Sequence, residues 1–346
     1  MLSFGPVTLD APLMQAGLAG YSDRAMRTVA RRRGCPYAVT EALLDTILLA
    51  GGQGLKNSVD SSDEDHPVAG QLMGSGGDTL APAAVILAGH GFDVIDLNFA
   101  CPVKKVKNKA RGGWMLQDLP RGFEILQSVR AALPEQPLSV SLRRGFDDSA
   151  ESEDRFWKLC DEAWRLGFCC LRVHGRTVEQ KYAGTSRRPF LRQVVEAYPD
   201  KVIWGSGDVF EPTDAVAMLR ETGVSGVWVA RGAIGNPWFF RDTLRLLAGD
   251  DWADVPPPTV GEQRQALREH FDLAMQIHGE SLAGRRMRKM GIKYSRFHPE
   301  HATVKTAFID IRSRGDWRRV LDEHYADDRP GVRPAAGAAN ETACGS

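Results

Sequence analysis

Residues 97–113, LNFACPVKKVKNKARGG, place one cysteine between an apolar run and a dense group of basic residues. Cys101 follows Asn98 by three residues and is itself followed by a proline. A cysteine is more often a small buried hydrophobe than a catalyst, but nearby cations lower the pKa of a thiol and attract anions. Five basic residues follow with no acid among them: Lys104, Lys105, Lys107, Lys109 and Arg111. The segment predicts either an inert thiol beside a solvated loop or a reactive thiol that faces an anionic substrate.

Polar residues also end two other apolar runs, where they could contact a bound cofactor. Gln71 lies near the end of the run VAGQL, and His174 ends the run CCLRVH. Both side chains can hydrogen-bond a planar ring. The alternative is structural, because either residue could simply satisfy a neighbouring loop.

Two later segments combine glycine with charge, namely GSGD at 205–208 and ARG at 230–232. Glycine lets a backbone approach a phosphate, and the arginine fork can bind one in two places. The segments therefore predict a phosphate site formed by Gly207, Asp208, Arg231 and Gly232. Two tight turns joined by a structural ion pair would give the same pattern.

These residues need a scaffold that collects them at one face, and the apolar runs predict it. Strand-like runs occur at 11–16, 37–40, 68–72, 93–98, 138–142, 169–174, 201–205 and 226–230. Amphipathic helical stretches separate them, and eight such units in about 245 residues are typical of a (β/α)8 TIM barrel. A doubly wound open sheet is the alternative, but it usually has fewer strands, and no GxGxxG follows the first run. In a barrel, the ends of the strands and the loops after them form the active site.

The chain changes character after residue 249. Residues 250–260, DDWADVPPPTV, contain three consecutive prolines, which predict an extended linker between a catalytic barrel at 1–249 and a second domain. Residues 261–326 have helical periodicity only, which predicts a C-terminal helical bundle. Between Glu262 and Arg319 there are 13 Lys/Arg and 7 Asp/Glu, so this domain is locally basic. Residues 327–346, rich in Ala, Gly and Pro, predict a disordered tail.

The composition of the whole chain excludes several classes. Lys+Arg and Asp+Glu are 44 each, so any affinity for nucleic acid must come from local charge. The six cysteines form no CxxC pair, which argues against a zinc site or a disulfide framework. No run of about 18 apolar residues predicts a membrane span, and MLSFGPVTLD does not resemble a signal peptide. We therefore expect a cytoplasmic protein without a metal.

Six motifs in order resemble those of the tRNA-dihydrouridine synthases, the FMN-dependent enzymes that reduce uridine in tRNA. The motifs are AGLAGYSDRAMR, PVAGQLMGS, DVIDLNFACPVKKVKNKARGG, VHGRTVEQKYAG, GSGDVF and ARGAIGNPWFF. The resemblance extends from about Leu13 to Tyr325. It implies an FMN-binding barrel followed by a helical domain that grips tRNA, in agreement with the architecture predicted above.

The resemblance also implies roles for individual residues. NADPH reduces FMN, the flavin gives a hydride to C6 of uracil, and Cys101 protonates C5 as the general acid. The implied cofactor residues are Ala19, Gln71, Asn98, His174, Gly207, Asp208, Arg231 and Gly232. The implied substrate and RNA residues are Asn98, Lys104, Lys105, Arg176, Arg286 and Lys289. The target base must leave its stack, and the protein is expected to act on the RNA as a monomer.

The chain departs from the family pattern at four flavin positions. Gly17-Leu18 replaces the usual Pro-Met pair, Ser206 replaces an asparagine, and Ala230 replaces a glycine. Ser141 replaces a lysine whose charge would stabilise the reduced flavin at its N1–O2 edge, and a neutral serine cannot do this. Our hypothesis is that Arg143 or Arg144 places its positive charge at the same edge of the flavin.

Two further functions stay open on these departures. One is a flavin barrel that reduces a small pyrimidine or another enone, although such an enzyme needs no basic helical domain. The other is an RNA-binding relative with weakened flavin chemistry, which the substitutions favour and the retained Cys101 and HGRT motif oppose.

Overall fold

Eight parallel strands close into a barrel in the computed structural model, which describes residues 1–52, 55, 59–103 and 111–334. The barrel strands are β3 (Leu13–Gln15), β4 (Ala38–Val39), β6 (Val68–Met73), β7 (Val94–Phe99), β8 (Leu138–Arg143), β9 (Cys170–His174), β10 (Ile203–Ser206) and β11 (Gly226–Val229). The ring closes where β11 pairs with β3, with Val227 opposite Leu13. The predicted TIM barrel is confirmed, and each of the eight predicted runs overlaps one of its strands.

The second position of the barrel is divided between two short strands. Ala38 of β4 pairs with Val68, and Leu43 of β5 (Leu43–Leu44) pairs further along the same strand with Leu72. The intervening residues leave the sheet, and they bring Glu41 to the mouth of the barrel, where its carboxylate accepts from the N–H of Gly20.

An antiparallel hairpin that the sequence did not predict precedes the barrel, formed by β1 (Leu2–Phe4) and β2 (Val7–Leu9). The ring of Phe4 packs edge-on against Tyr37 and Trp204, with ring centroids 5.4 and 5.8 Å away. These two rings belong to the interior cluster of the barrel. The hairpin therefore closes the barrel at the end opposite the predicted site.

The α-helices before the proline-rich segment lie around the barrel. They are α1 (Arg24–Arg31), α2 (Asp45–Ala50), α3 (Gly77–Ala88), α4 (Leu119–Ala132), α5 (Ala150–Arg165), α6 (Arg188–Ala197), α7 (Pro212–Thr222) and α8 (Trp238–Ala248). Alternation along the strands divides the two faces, since successive side chains point to opposite sides. On β8, Leu138, Val140 and Leu142 pack outward in the main apolar core, whereas Ser139 bonds Asp96 on the interior side.

Up to residue 334, where the described part of the chain ends, three α-helices follow the proline-rich segment: α9 (Val260–Tyr294), α10 (His301–Ile309) and α11 (Arg314–His324). A capping box of Thr259 and Glu262 starts α9, and the helix is kinked at Gly279, whose φ is 71°. The stacked rings of Phe271 and Trp317, 4.8 Å apart, hold α9 to α11.

Residues 327–334 are ordered, in contrast to the tail expected from 327 onward. Asp328 accepts from the N–H of Gly261, and the N–H of Val332 donates to the carbonyl of Phe297. Polar backbone contacts of this kind hold the segment against the start of α9 and the proline-rich segment. The remainder of the predicted tail, 335–346, lies outside the described residues.

Within the described ranges, no helix is long and apolar enough to cross a membrane. The same part of the chain contains no group of three or more His, Cys, Asp or Glu side chains that could hold a metal ion.

Candidate active site at the barrel mouth

A chain of hydrogen bonds leads from the barrel interior to Cys101. The amide Nδ2 of Asn98 donates to Oε1 of Gln71 at 2.8 Å, and both residues are buried. Oδ1 of Asn98 in turn accepts from the backbone N–H of Cys101 at 2.9 Å and from that of Ala100 at 3.1 Å. Asn98 therefore fixes the backbone at the point where β7 ends and the cysteine begins, which is the end of the barrel that the sequence predicted.

The thiol of Cys101 lies in a tightly packed turn. The carbonyl of Cys101 accepts from the N–H of Gly113 at 2.9 Å. Gly112 has a φ of +60°, and a Cβ there would come within 3.0 Å of the Cβ of Cys101. The glycine pair thus lets the returning chain pass directly over the cysteine.

Burial raises the pKa of the Cys101 thiol, whereas the N–H of Val103 and the charge of Arg143 lower it by less. We expected neighbouring cations to lower it. Of the five basic residues on which that expectation relied, Lys104, Lys105, Lys107 and Lys109 lie outside the described residues. Arg111 is buried and bonds Asp45 at 2.8 Å, so its charge is neutralised. In the described surroundings the thiol is neutral near pH 7, as a proton donor must be.

Arg143 is a buried cation whose hydrogen bonds go to backbone carbonyls. Its guanidinium donates to the carbonyls of Ala100, Thr177 and Lys181, each at 2.8 Å. Its pKa is lowered to about 10, mainly by burial, with smaller opposing contributions from Tyr182 and Cys101, which raise it, and from the charges of Arg176 and Arg231, which lower it. Arg144 differs, because it lies 2.5 Å from Asp148 and donates to Gln180 at 2.9 Å. The positive charge of Arg143 is therefore the more available of the two to an anionic ligand at the mouth.

His174 presents a neutral ring. Its Nδ1 accepts from the N–H of Arg176 at 3.1 Å, so Nε2 carries the proton and is the donor of the ring. Burial, and then the charges of Arg143, Arg176 and Arg231, holds the pKa of His174 well below its usual range. His174 of β9 is paired in register with Arg143 of the neighbouring strand β8.

Asp208 holds the loops after β9 and β10 together. It bonds Nη2 of Arg176 at 2.7 and 2.9 Å and accepts from the N–H of Ser186 at 2.6 Å. Its own φ is +53°. A Cβ at Gly207 would lie 2.0 Å from Oγ of Ser186, so only glycine fits between these loops. The described contacts of Asp208 are therefore structural, and its expected cofactor role stays a prediction.

Arg176 was expected to contact RNA, and this expectation is wrong. The residue is 2% exposed, and its guanidinium is engaged by Asp208 and by the carbonyls of Ala183 and Gly184. It braces the loop that follows β9 from inside. The sequence could not reveal this, because Asp208 comes 32 residues later in the chain.

The loop after β11 places Arg231 and Gly232 beside the loop after β10. The guanidinium of Arg231 lies over the rings of Phe210 and Tyr182, at 4.6 and 5.3 Å from their centroids, and 3.7 Å from Asp208. A Cβ at Gly232 would come within 2.7 Å of the carbonyl oxygen of Val209. Arg231 and Gly232 are thus packed against the loop after β10, and their expected role in binding phosphate stays a prediction.

The loop after β3 was expected to contact the cofactor through Ala19. Ala19 is exposed, so it offers a ligand no enclosed surface. Gly17 is required by space, because a Cβ there would lie 2.1 Å from the carbonyl oxygen of Thr40. The glycine that stands at position 17 in place of the family's usual proline therefore allows the close approach of the backbone at Thr40.

Arg286 and Lys289 of α9, expected to contact RNA, join the helical segment to this loop. Arg286 bonds Asp23 at 3.1 Å and lies 3.6 Å from Glu41. Lys289 donates to the carbonyl of Gly20 at 3.1 Å and lies 3.2 Å from the ring centroid of Tyr21. Their charges thus have partners within the protein, and their expected contact with RNA stays a prediction.

The fold, the neutral thiol and the polar mouth of the barrel define a class of enzyme, and comparison with known proteins identifies it. The family model for dihydrouridine synthase matches residues 14–328, so the chain belongs to the dihydrouridine synthase family. It is an oxidoreductase that acts on uridine in tRNA, and membership of the family supports a flavin cofactor.

Curated relatives and a solved structure agree with this assignment. The chain is 30% identical to tRNA-dihydrouridine synthase B of Xanthomonas campestris pv. campestris, over 94% of this chain and 96% of that protein. It is 31% identical to tRNA-dihydrouridine synthase B of Pseudomonas aeruginosa, over 84% of this chain and 85% of the relative. The solved structure of a 2-naphthoyl-CoA reductase complex, 12% identical, superimposes with a TM-score of 0.55 over 72% of this chain and 51% of that chain. This last likeness concerns the fold.

Sequence reasoning missed several polar residues of the barrel interior. Asp96 bonds Gln71, Ser139 bonds Asp96, and Arg172 pairs with Asp96. The signal was present in the period of the strands. Asp96 lies two residues before Asn98, and Arg172 two residues before His174, so each shares the inward face of its strand.

Proposed function

We propose that the chain reduces a uridine of tRNA to 5,6-dihydrouridine, with FMN as the bound cofactor and NADPH as the reductant. The observation that carries the proposal is the neutral thiol of Cys101, held at the mouth of a barrel by Asn98 and Gly113. A thiol that is protonated near pH 7 can give a proton to a developing carbanion and regain one from solvent.

The residues present fit a flavin at this mouth. We propose that the phosphate of the flavin binds where the loops after β9, β10 and β11 pack closely, at Gly207 and Gly232. Arg143 and Arg231 offer positive charge, and His174 offers a neutral N–H donor. We propose that Gln71 and Asn98 contact the ring system, as their place at the interior end of the chain of hydrogen bonds suggests.

The serines that stand at two family positions do not compete for such a ligand. Oγ of Ser141 donates to the carbonyl of Leu97 at 3.3 Å, and Oγ of Ser206 donates to the carbonyl of Trp228 at 2.9 Å. Both hydroxyl protons are thus donated to carbonyl oxygens within the barrel. Neither serine contributes a charge. Two arginines were candidates to supply the positive charge of the missing lysine. Arg143 remains a candidate, whereas Arg144 does not, because Asp148 neutralises its charge.

FMN, when bound, supplies the hydride that adds to C6 of the uracil ring. Cys101 donates its proton to C5, which completes the saturation of the C5–C6 bond. Asn98 holds the backbone of Cys101 in place during this transfer, and Arg143 holds the carbonyl of the preceding residue, Ala100. The target base must leave its stack to reach the barrel mouth.

Exposed arginines of the helical segment are the groups we propose for the tRNA backbone. Two open cavities of about 480 and 430 Å³ flank the stacked rings of Phe271 and Trp317. Their linings include the exposed Arg268, Arg285, Arg288, Arg312, Arg314 and Arg318. Charge of this density favours phosphate, and these residues join Arg286 and Lys289 in the hypothesis. We propose that the protein acts on tRNA as a monomer.

The experiment supplies the purified protein with FMN, NADPH and one of two substrates, unmodified tRNA or free uracil. We expect NADPH oxidation and dihydrouridine formation with tRNA and neither with uracil. Cys101→Ala should bind FMN as the wild type does and lose at least about 100-fold in product formation, the low end for a general acid. Product formed at the normal rate by this variant would refute the role of Cys101. Turnover of free uracil at a rate similar to that of tRNA would support a reductase of small pyrimidines.

A further inference from the structure

An ion pair is buried inside the barrel, one layer below Gln71 and Asn98. Oδ1 of Asp96 lies 2.9 Å from Nη1 of Arg172, and neither side chain is exposed to solvent. The guanidinium also donates through Nη2 to the hydroxyl of Tyr37 at 3.1 Å. Charges in such a place are costly to desolvate, and apolar residues of similar volume often serve stability equally well. The pair therefore calls for a role other than stability.

The ion pair is connected to Cys101 by an unbroken series of hydrogen bonds. Oδ2 of Asp96 accepts from Nε2 of Gln71 at 2.7 Å. Oε1 of Gln71 accepts from Nδ2 of Asn98 at 2.8 Å, and Oδ1 of Asn98 accepts from the N–H of Cys101 at 2.9 Å. The series thus begins at a carboxylate and ends at the backbone of the residue that carries the thiol.

The two ends of the series agree on the direction of its bonds, since Asp96 accepts at one end and the N–H groups of Ala100 and Cys101 donate at the other. An ionised carboxylate only accepts, whereas a side-chain amide can turn either its oxygen or its NH2 group toward a neighbour. Because Asp96 must accept, Gln71 turns its NH2 group toward it and its oxygen toward Asn98. Asn98 then turns its own oxygen toward the N–H of Cys101. Arg172 lies against the other oxygen of the same carboxylate.

We propose that Asp96 and Arg172 are positioning residues for Cys101, because their ion pair fixes the orientation of both amides and so holds the cysteine backbone at the barrel mouth. The proposal deepens the proposed function, and it rests on that function for the role of the thiol as a proton donor. It also requires that neutralising the pair frees the two amides to turn. In the reversed orientation, the NH2 group of Asn98 would face the N–H of Cys101, and the hydrogen bond between them would be lost.

The test replaces both members of the pair, so that no single charge stays buried. In Asp96→Asn/Arg172→Met, we expect iodoacetamide to modify Cys101 about fivefold faster, as the loss of one hydrogen bond at its backbone implies. The rate is followed by mass spectrometry of the peptide that contains Cys101. With tRNA as substrate, kcat should fall about tenfold or more while KM stays within about twofold, because the helical segment is unchanged.

Two further variants separate positioning from a general loss of stability. Arg27→Met/Asp65→Asn removes another buried pair, whose Arg27 Nε and Asp65 Oδ1 atoms are 3.0 Å apart, and it should leave the modification rate of Cys101 unchanged. Arg172→Lys keeps a cation beside Asp96 and should restore most of the wild-type rate.

A folded Asp96→Asn/Arg172→Met protein in which Cys101 reacts at the wild-type rate would overturn the proposal. So would an Arg172→Lys variant that reacts as fast as the double variant. If the methionine variant does not fold, Asp96→Asn/Arg172→Gln is a neutral and more polar replacement with the same two outcomes. Modification of the thiol needs neither FMN nor tRNA. A change in its rate in a protein that forms no dihydrouridine would therefore refute the proposed function and leave the positioning role intact.

Discussion

Replacement of Arg143 by methionine should lower the two-electron midpoint potential of bound FMN. The guanidinium of Arg143 donates to three backbone carbonyls, whereas that of Arg144, the next residue, faces the carboxylate of Asp148. A fixed cation near a flavin favours its reduced and more negative form. Arg143→Met removes that cation, and Arg144→Met is the matched control, because it removes a charge that Asp148 already neutralises.

The size of the effect follows from the burial of Arg143. Burial lowers its pKa from 12.5 to about 10, and at 1.36 kcal/mol for each tenfold change this corresponds to a charging cost of about 3 kcal/mol. An anionic ligand can recover at most a cost of this order. For a two-electron couple 30 mV is about 1.4 kcal/mol, so the potential should fall by about 20–60 mV in Arg143→Met. In Arg144→Met it should change by less than about 10 mV.

The assay is a spectroscopic redox titration of the FMN-loaded protein against a dye of known potential. Far-ultraviolet circular dichroism of both variants checks that the barrel has formed. An unchanged potential in a folded Arg143→Met protein would refute the reasoning, since the uncompensated charge would then lie too far from the ring to act on it. An equal fall in Arg143→Met and Arg144→Met would refute it as well, because the effect would not depend on the compensation of charge by Asp148.

Three further predictions concern other parts of the molecule. Gly232→Ala places a Cβ 2.7 Å from a backbone oxygen of the facing loop, so the dissociation constant of FMN should rise about tenfold in a fluorescence titration. Arg268→Glu combined with Arg318→Glu should raise KM for tRNA about tenfold at low salt and flatten its salt dependence, whereas Arg165→Glu on an outer helix of the barrel should do neither. Burial alone would raise the pKa of Asp23, but hydrogen bonds and nearby cations lower it to about 2. Its ionised form therefore stabilises the fold by about 2 kcal/mol above pH 4. Asp23→Asn should lower the free energy of unfolding by that amount at pH 7, and the difference from wild type should vanish as the pH falls from 4 to 2.

The positions of the barrel strands could be predicted because each is a continuous apolar run with a helix after it. The polar residues at the strand ends followed from the same pattern, and Cys101, Asn98, Gln71 and His174 lie together at one mouth as expected. Local sequence carries this information, since a strand and the loop after it are adjacent in the chain.

Pairings between distant segments could not be predicted in this way. Arg111 and Arg176 belong to motifs that suggested contact with phosphate, but the structure pairs Arg111 with Asp45 and Arg176 with Asp208. A basic residue in a motif has the same appearance whether its partner is a ligand or a carboxylate brought from far along the chain. The N-terminal hairpin escaped prediction for another reason, because strands of three residues are too short to show a period.

The hairpin at the base of the barrel has a consequence for the order in which the chain folds. Phe4 packs against Tyr37 of the second barrel position and against Trp204 of β10. Its binding site is therefore incomplete until residue 204 has been synthesised, and the ring itself closes only when Val227 pairs with Leu13. The residues of the hairpin are thus synthesised well before the surface that receives them is complete. Until Phe4 is in place, water can reach Tyr37 from the base of the barrel. It can then also reach Arg172, which donates to the hydroxyl of Tyr37.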